Sequence, residues 1–276
     1  MRFFHSLTLA VIVTDTTHRK MRAQNIIPNP KIADHVDRIL VIENVVLLTP
    51  FVLPLYANGV PTLLFKSVKG KMGNHSCNYL TLFGQTISAE SLTLNEDFTL
   101  IAYFFKPHSL ISLFDIPAFE LTDKPIDLCL ISVKTATELQ EKLLNCESVE
   151  NMISTLDDYI FDLAKTAKEI SGAAKYASGK IAIHYTKETL VNIQKELNIS
   201  ERTFQRMFEQ NIGISPNIYR RISQFNSAFT DLNLGKYSNL SDLAYNHGYA
   251  DQSHYIRAFK EFTTITPSEY LAYGTS

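Results

Sequence analysis

Residues 242–262 read DLAYNHGYADQSHYIRAFKEF, and residues 199–216 read ISERTFQRMFEQNIGISP. The two stretches belong to copies of one pattern. In the first, Arg206-x-Phe208 is followed after six residues by Ser215-Pro216-x-x-Tyr219; in the second, Arg257-x-Phe259 is followed after six residues by Thr266-Pro267-x-x-Tyr270. The offset between these positions is 51 throughout. Upstream, Leu190 and Ile193 match Leu240 and Leu243 at an offset of 50, so the second copy has one extra residue in its turn. Agreement at this many spaced positions implies two copies of one supersecondary unit.

Each copy reads as helix, tight turn, helix. Residues 189–197 are amphipathic, residues 198–200 form a turn, and Ser200 suits the N-cap of a helix over residues 201–210. Phe204, Met207 and Phe208 share one face of that helix. At about 100° per residue, Arg202 and Arg206 lie opposite, with Gln205 on the flank. In the second copy residues 241–246 precede Gly248-Tyr249-Ala250, and a helix follows over residues 251–261. There Tyr255, Ala258 and Phe259 point inward, Ser253 and Arg257 outward, and Ile256 takes the place of Gln205.

Such a face suits the DNA major groove. Arginine can bond guanine O6 and N7 together, glutamine can bond adenine N6 and N7, and an apolar side chain can meet a thymine methyl. Two such helices in one chain could enter successive major grooves, about 34 Å apart. A lone surface arginine is ordinarily a solvated charge. Recurrence of Arg206 and Arg257 at matched positions favours a DNA role.

The C-terminal stretch resembles the DNA-binding domain of the AraC/XylS family of bacterial transcription regulators: residues 242–262 resemble its second motif nearly position by position, and residues 199–216 resemble its first. The resemblance implies seven helices: two helix-turn-helix units joined by a central helix over about residues 216–232. Carried over residue by residue, it makes Arg202, Gln205, Arg206, Gln252, Ser253 and Arg257 the DNA-facing positions. It also implies double-stranded DNA as partner, and RNA polymerase if the protein activates. Two positions depart from the family pattern: Thr264 stands where glycine is usual, and Gln224 where an arginine is common.

The first half differs in texture. Residues 41–48, 63–65, 92–94 and 99–105 are short apolar, β-branched or aromatic runs, separated by turn signals at Asn58-Gly59, Lys69-Gly70 and Gly73-Asn74. This spacing predicts a small barrel or sandwich, with a short helix within residues 107–119. Helical periodicity then sets in through Leu139, Leu143 and Leu144, and again from Val149 to Leu163, with residues 145–148 between. Residues 171–179, SGAAKYASG, read as an interdomain linker. Residues 53–65 and 102–123 resemble, more weakly, the cupin-like sensor domain of a subgroup of the same family. That resemblance implies a small effector or dimerisation. Tyr56, Asn58, Phe65, Tyr103 and Phe105 are candidate pocket residues, with ordinary barrel core as the alternative. The Leu139, Leu143 and Leu144 stripe serves either a homodimer or intramolecular packing.

Composition sets the remaining bounds. With 45% hydrophobic and 20% charged residues among 276, the chain is globular and long enough for two domains. Residues 1–179 carry a net charge of −3 and residues 180–276 of +1, so DNA binding must rest on a few placed cations rather than a broad field. Three cysteines without C-x-x-C spacing argue against a disulfide scaffold or a thiolate zinc site, and make a cytoplasmic setting the simpler one. His35, His75 and His108 are isolated in sequence, which argues against a cupin metal centre. No phosphate-binding glycine loop or nucleophile elbow occurs.

The expectation is therefore an α+β, two-domain regulator without cofactor, enzymatic activity or membrane span. Residues 1–20 form a disordered or dispensable leader, with Met21 as a possible start. Residues 21–135 form a β-barrel or cupin-like sensor, 136–179 a helical connector and linker, and 180–276 a double helix-turn-helix domain. The alternatives are a cupin-type metal enzyme with an ancillary DNA-binding module, and a ligand-free dimerising DNA-binding protein.

Overall fold

The computed structural model describes residues 21–44 and 46–273; the leader assigned to residues 1–20 lies outside them. Among the described residues the first half supplies ten strands: β1 (Met21–Ile26), β2 (Val36–Asn44), β3 (Phe51–Leu55), β4 (Thr62–Lys66), β5 (Gly70–Met72), β6 (His75–Cys77), β7 (Leu80–Phe83), β8 (Glu90–Leu94), β9 (Phe98–Phe105) and β10 (Ile126–Asp127). They form two antiparallel sheets, ordered β1-β2-β9-β4-β7-β10 and β3-β8-β5-β6. Both sheets are open. The barrel expectation is corrected to a two-sheet sandwich, because β1 and β10 end one sheet without pairing to the other.

The central strands are buried on both faces, which is why they read as unbroken apolar runs. Leu40, Ile42, Leu64, Leu100, Ala102 and Phe104 face the smaller sheet. Their sequence neighbours Ile39, Val41, Leu63, Phe65, Ile101, Tyr103 and Phe105 face the opposite way, into a second core. That core is closed by α1 (Ser109–Phe114), a 3₁₀ turn (Ala118–Leu121), α2 (Leu128–Ile131), α3 (Val133–Leu144) and α4 (Val149–Lys165). Tyr103 donates to Asp157 Oδ1 of α4 at 2.7 Å. Leu139 and Leu143 are buried here, and only Leu144 of the proposed stripe is exposed. The stripe packs on its own chain.

The stretch read as a linker is a helix, α5 (Gly172–Ile183). Ser171 caps it by accepting from Ala174 N, and Ala174, Ala177 and Ile181 form a narrow buried face. Small residues at those positions serve close packing rather than looseness. Then come α6 (Lys187–Glu196), α7 (Glu201–Ile212), α8 (Pro216–Asn233), α9 (Leu240–Asn246), α10 (Gln252–Thr263) and α11 (Pro267–Tyr273). From α5 to α11 these are the seven helices the resemblance implied.

The two halves are docked. Tyr56, Ala57 and Ile87 of the sandwich join the C-terminal core, with Tyr56 edge-on to Phe229 at 6.0 Å. Asn226 Nδ2 donates to Asn58 O at 3.1 Å, and Thr122 Oγ1 donates to Gly213 O at 2.7 Å. Gly213 ends α7 with φ of +102°, and a Cβ there would stand 2.8 Å from Ala118 O of the 3₁₀ turn. Both the backbone angle and the close approach require glycine.

Thr264 occupies the matching C-cap of α10, with φ of +69°. Here the glycine of the family pattern is absent but the left-handed conformation persists. Thr264→Gly is expected to raise unfolding stability by about 1 kcal/mol, read by urea denaturation; an unchanged or lower midpoint would contradict strain at this cap.

His108 is 5% exposed, and neither ring nitrogen has a partner among the described residues. Burial, with Lys175, Lys106 and His35 nearby, pushes its pKa down to about 4. The unfolded chain therefore takes up a proton near the ordinary histidine pKa, about 6.5, while the folded chain resists it. Stability is expected to be complete above pH 6.5 and to fall as pH drops toward 4. His108→Gln should flatten that part of the pH–stability curve.

Candidate nucleic-acid interface

The two units are built alike. In α7, Ser200 accepts from Thr203 N at 3.2 Å, and Phe204, Phe208 and Ile212 recur every fourth residue on the buried face. In α10, Asp251 accepts from His254 N at 2.7 Å, and Tyr255, Ala258, Phe259 and Phe262 are buried. The preceding turns also correspond: Asn198 has φ of +50° and Gly248 of +74°. Each turn joins a short first helix, α6 or α9, to the second, and α9 packs on α10.

With the apolar face committed inward, the other face is left to solvent. Arg202, Gln205 and Arg206 of α7 are exposed, as are Gln252, Ser253 and Arg257 of α10. The guanidinium groups of Arg202, Arg206 and Arg257 have no protein partner among the described residues. Gln205 Nε2 donates to Glu209 Oε1 at 3.0 Å, and Gln252 Oε1 accepts from Ser241 Oγ at 2.8 Å. Both amides are therefore oriented by the protein, whereas the arginines are free to pair with an external anion or base. Ile256, the counterpart of Gln205, is half-buried.

What holds the units relative to each other is α8. It packs on α5, α6, α7, α9 and α10. Phe225 stacks on Phe229 at 5.3 Å and meets Phe262 at 5.3 Å and Phe259 at 5.6 Å. A polar chain runs beside these rings. Arg220 donates to Tyr185 O at 3.1 Å, just before α6, and to Gln224 Oε1 at 3.2 Å. Gln224 Nε2 in turn donates to His247 O at 2.9 Å, in the turn after α9. The His247 ring closes the circuit, with Nδ1 3.1 Å from Tyr185 Oη and Nε2 3.0 Å from Asp231 Oδ2. Gln224, which stands where the family pattern commonly has an arginine, is a buried brace between the two units. Its signal was its four-residue spacing from Arg220, visible only once both are known to face inward.

The candidate pocket residues of the sandwich separate. Tyr56 and Asn58 line a space of about 30 Å³ between the sheets, together with Leu40, Thr62, Phe83 and Phe104. Phe65, Tyr103 and Phe105 do not; strand alternation turns them into the helix-covered core, where each is fully buried. His35 and His108 come near each other, yet no group of three or more His, Cys, Asp or Glu able to hold a metal ion occurs among the described residues. No helix among them is long and apolar enough to cross a membrane.

Residues 193–273 match the family described as "Helix-turn-helix domain", and residues 24–127 match the "Domain of unknown function (DUF6597)". Among solved structures, ToxT from Vibrio cholerae O395 is 15% identical over 93% of this chain and 98% of its own, with a TM-score of 0.47. Unsaturated fatty acid bound wild-type ToxT from V. cholerae strain SCE256 is 15% identical over 84% and 94%, with a TM-score of 0.47. The AraC-like transcriptional activator CuxR is 12% identical over 72% and 84%, with a TM-score of 0.27. These likenesses are too distant to carry chemistry across. No curated protein matches the chain.

The matched helices and the model match over residues 193–273 together define a C-terminal helix-turn-helix domain, the class of fold that binds DNA, beside a β-sandwich domain.

The brace can be tested directly. Gln224→Leu would leave the Arg220 guanidinium and the His247 carbonyl short of a partner and should cost ~1–3 kcal/mol of stability. Urea unfolding measures it; no loss would show that the chain of bonds does not constrain the units.

Proposed function

We propose that α7 and α10 enter successive major grooves of one duplex, about 34 Å apart. Arg202, Gln205 and Arg206 would read one groove, and Gln252, Ser253 and Arg257 the next. The observation that carries this reading is the matched pair Arg206 and Arg257, each exposed and free of any protein partner among the described residues. A bidentate arginine reads guanine, and a protein-oriented glutamine such as Gln205 suits adenine. The net charge of +1 over residues 180–276 fits recognition by a few contacts rather than a charge field.

In this reading the sandwich is the control domain, and its contacts to α7 and α8 are the route by which it acts. A small effector is one form of control. The space between the sheets, about 30 Å³, holds roughly one water, so an effector lodged there would have to part the sheets. That observation favours the second reading, in which the sandwich acts as a ligand-free docking or dimerising module. RNA polymerase is the further partner if the protein activates.

Arg206→Ala and Arg257→Ala are each expected to weaken binding to a site selected from genomic fragments by ~1–3 kcal/mol, measured by fluorescence anisotropy. Binding to random duplex should change much less. Equal losses on both duplexes would reduce the arginines to phosphate contacts and overturn the base-reading assignment.

A further inference from the structure

The regulator reading leaves one buried chemical pair unused. Lys66 of β4 is fully buried, on the larger sheet. Its Nζ donates to Cys77 Sγ of β6, on the smaller sheet, at 3.3 Å, and to Asn78 O. No carboxylate lies within ion-pair distance of Lys66 among the described residues. Asp127 contributes only its field, and burial holds the Lys66 amine below the ordinary lysine range.

A buried ammonium is costly unless an anion meets it. The one group placed to become that anion is the Cys77 thiol. Moving its proton to Lys66 leaves the pair neutral overall and replaces a weak bond by a charge-assisted one. Thr81 Oγ1, 3.2 Å from Cys77 Sγ, is placed to donate to the thiolate. Cys77 also lines an open pocket of about 440 Å³, with Met72, His75, Asn78, Thr81 and Asp127. The dyad thus borders open space although Cys77 is only 5% exposed.

We propose that Lys66 and Cys77 form an ammonium–thiolate dyad that reacts with hydroperoxides and makes Cys77 an oxidant-responsive site. The thiolate sulfur attacks the near peroxide oxygen. An S–O bond forms and the O–O bond breaks. Cys77 is oxidised by two electrons to the sulfenic acid, and the departing hydroxide takes a proton from the Lys66 ammonium and leaves as water. The pocket's outer wall, which includes Asp123 and Asp127, follows directly on Thr122, whose hydroxyl holds Gly213 at the end of α7.

Exposure and the dyad rank the cysteines in opposite orders. Cys129 and Cys146 are half-buried and Cys77 is buried, so access alone would make Cys77 the slowest. The experiment treats the full chain with hydrogen peroxide, quenches at intervals, unfolds, alkylates the remaining thiols and maps them by peptide mass spectrometry. Cys77 is expected to react about ten-fold faster than Cys129 and Cys146, and to lose that advantage in Lys66→Met. A wild-type Cys77 that is slowest of the three, or a rate untouched by Lys66→Met, overturns the proposal. If Lys66→Met does not fold, two readouts replace it. Thr81→Val should slow Cys77 oxidation, and the native protein should show near neutral pH an ultraviolet thiolate absorbance that Cys77→Ser removes. Absence of that absorbance overturns the proposal equally.

Discussion

The geometry of the two exposed helix faces, on α7 and α10, depends on one buried helix. On α8, aromatic rings and a short polar chain share the same interior. Phe225 and Phe229 supply the burial, but such contacts are non-directional and would tolerate several orientations of the units around them. The bonds from Arg220 to Tyr185 O and from Gln224 to His247 O are directional. Each ties a backbone carbonyl of one unit to the same face of α8. In the proposed reading α7 and α10 work together only at a fixed spacing and phase, and directional bonds of this kind restrict both.

The duplication is asymmetric in an informative way. Gly213 ends α7 where the 3₁₀ turn of the sandwich presses close, and no side chain would fit. Its counterpart Thr264 keeps the left-handed backbone. The first unit is therefore shaped by its contact with the N-terminal half, through Thr122 and Ala118. Tyr56, Asn58 and Gly59 meet α8 nearby. A rearrangement within the sandwich would reach α7 and α8 before it reached α10.

Much of this was legible in one dimension. The repeat carried its own proof, because Ser200, the Ser215-Pro216 pair and the aromatic spacing are local signals of caps and of a buried face. Central strands such as β9 were visible as runs of β-branched and aromatic residues. Short strands such as β5, β6 and β10 were not, since three residues or fewer hold no periodicity. Residues 171–179 misled because glycine, alanine and serine in sequence describe flexibility and close helix packing equally well. The pocket candidates misled because Phe65 and Tyr56 look alike as letters. Only the register of β4, once set by its partners, says which way Phe65 turns.

By itself the sequence determined the double unit, the helices that carry it and the polar side chains left on their outer faces, because those properties follow from spacing along the chain. The tertiary structure alone decided that the sheets stay open, that Gln224 is a brace, that the Leu139 and Leu143 stripe is covered by its own core, and that Lys66 meets Cys77 across two sheets. Each of these joins residues whose nearness comes from packing and not from order. A hydrogen bond or a covered face needs a partner, and the identity of the partner is a property of the folded chain.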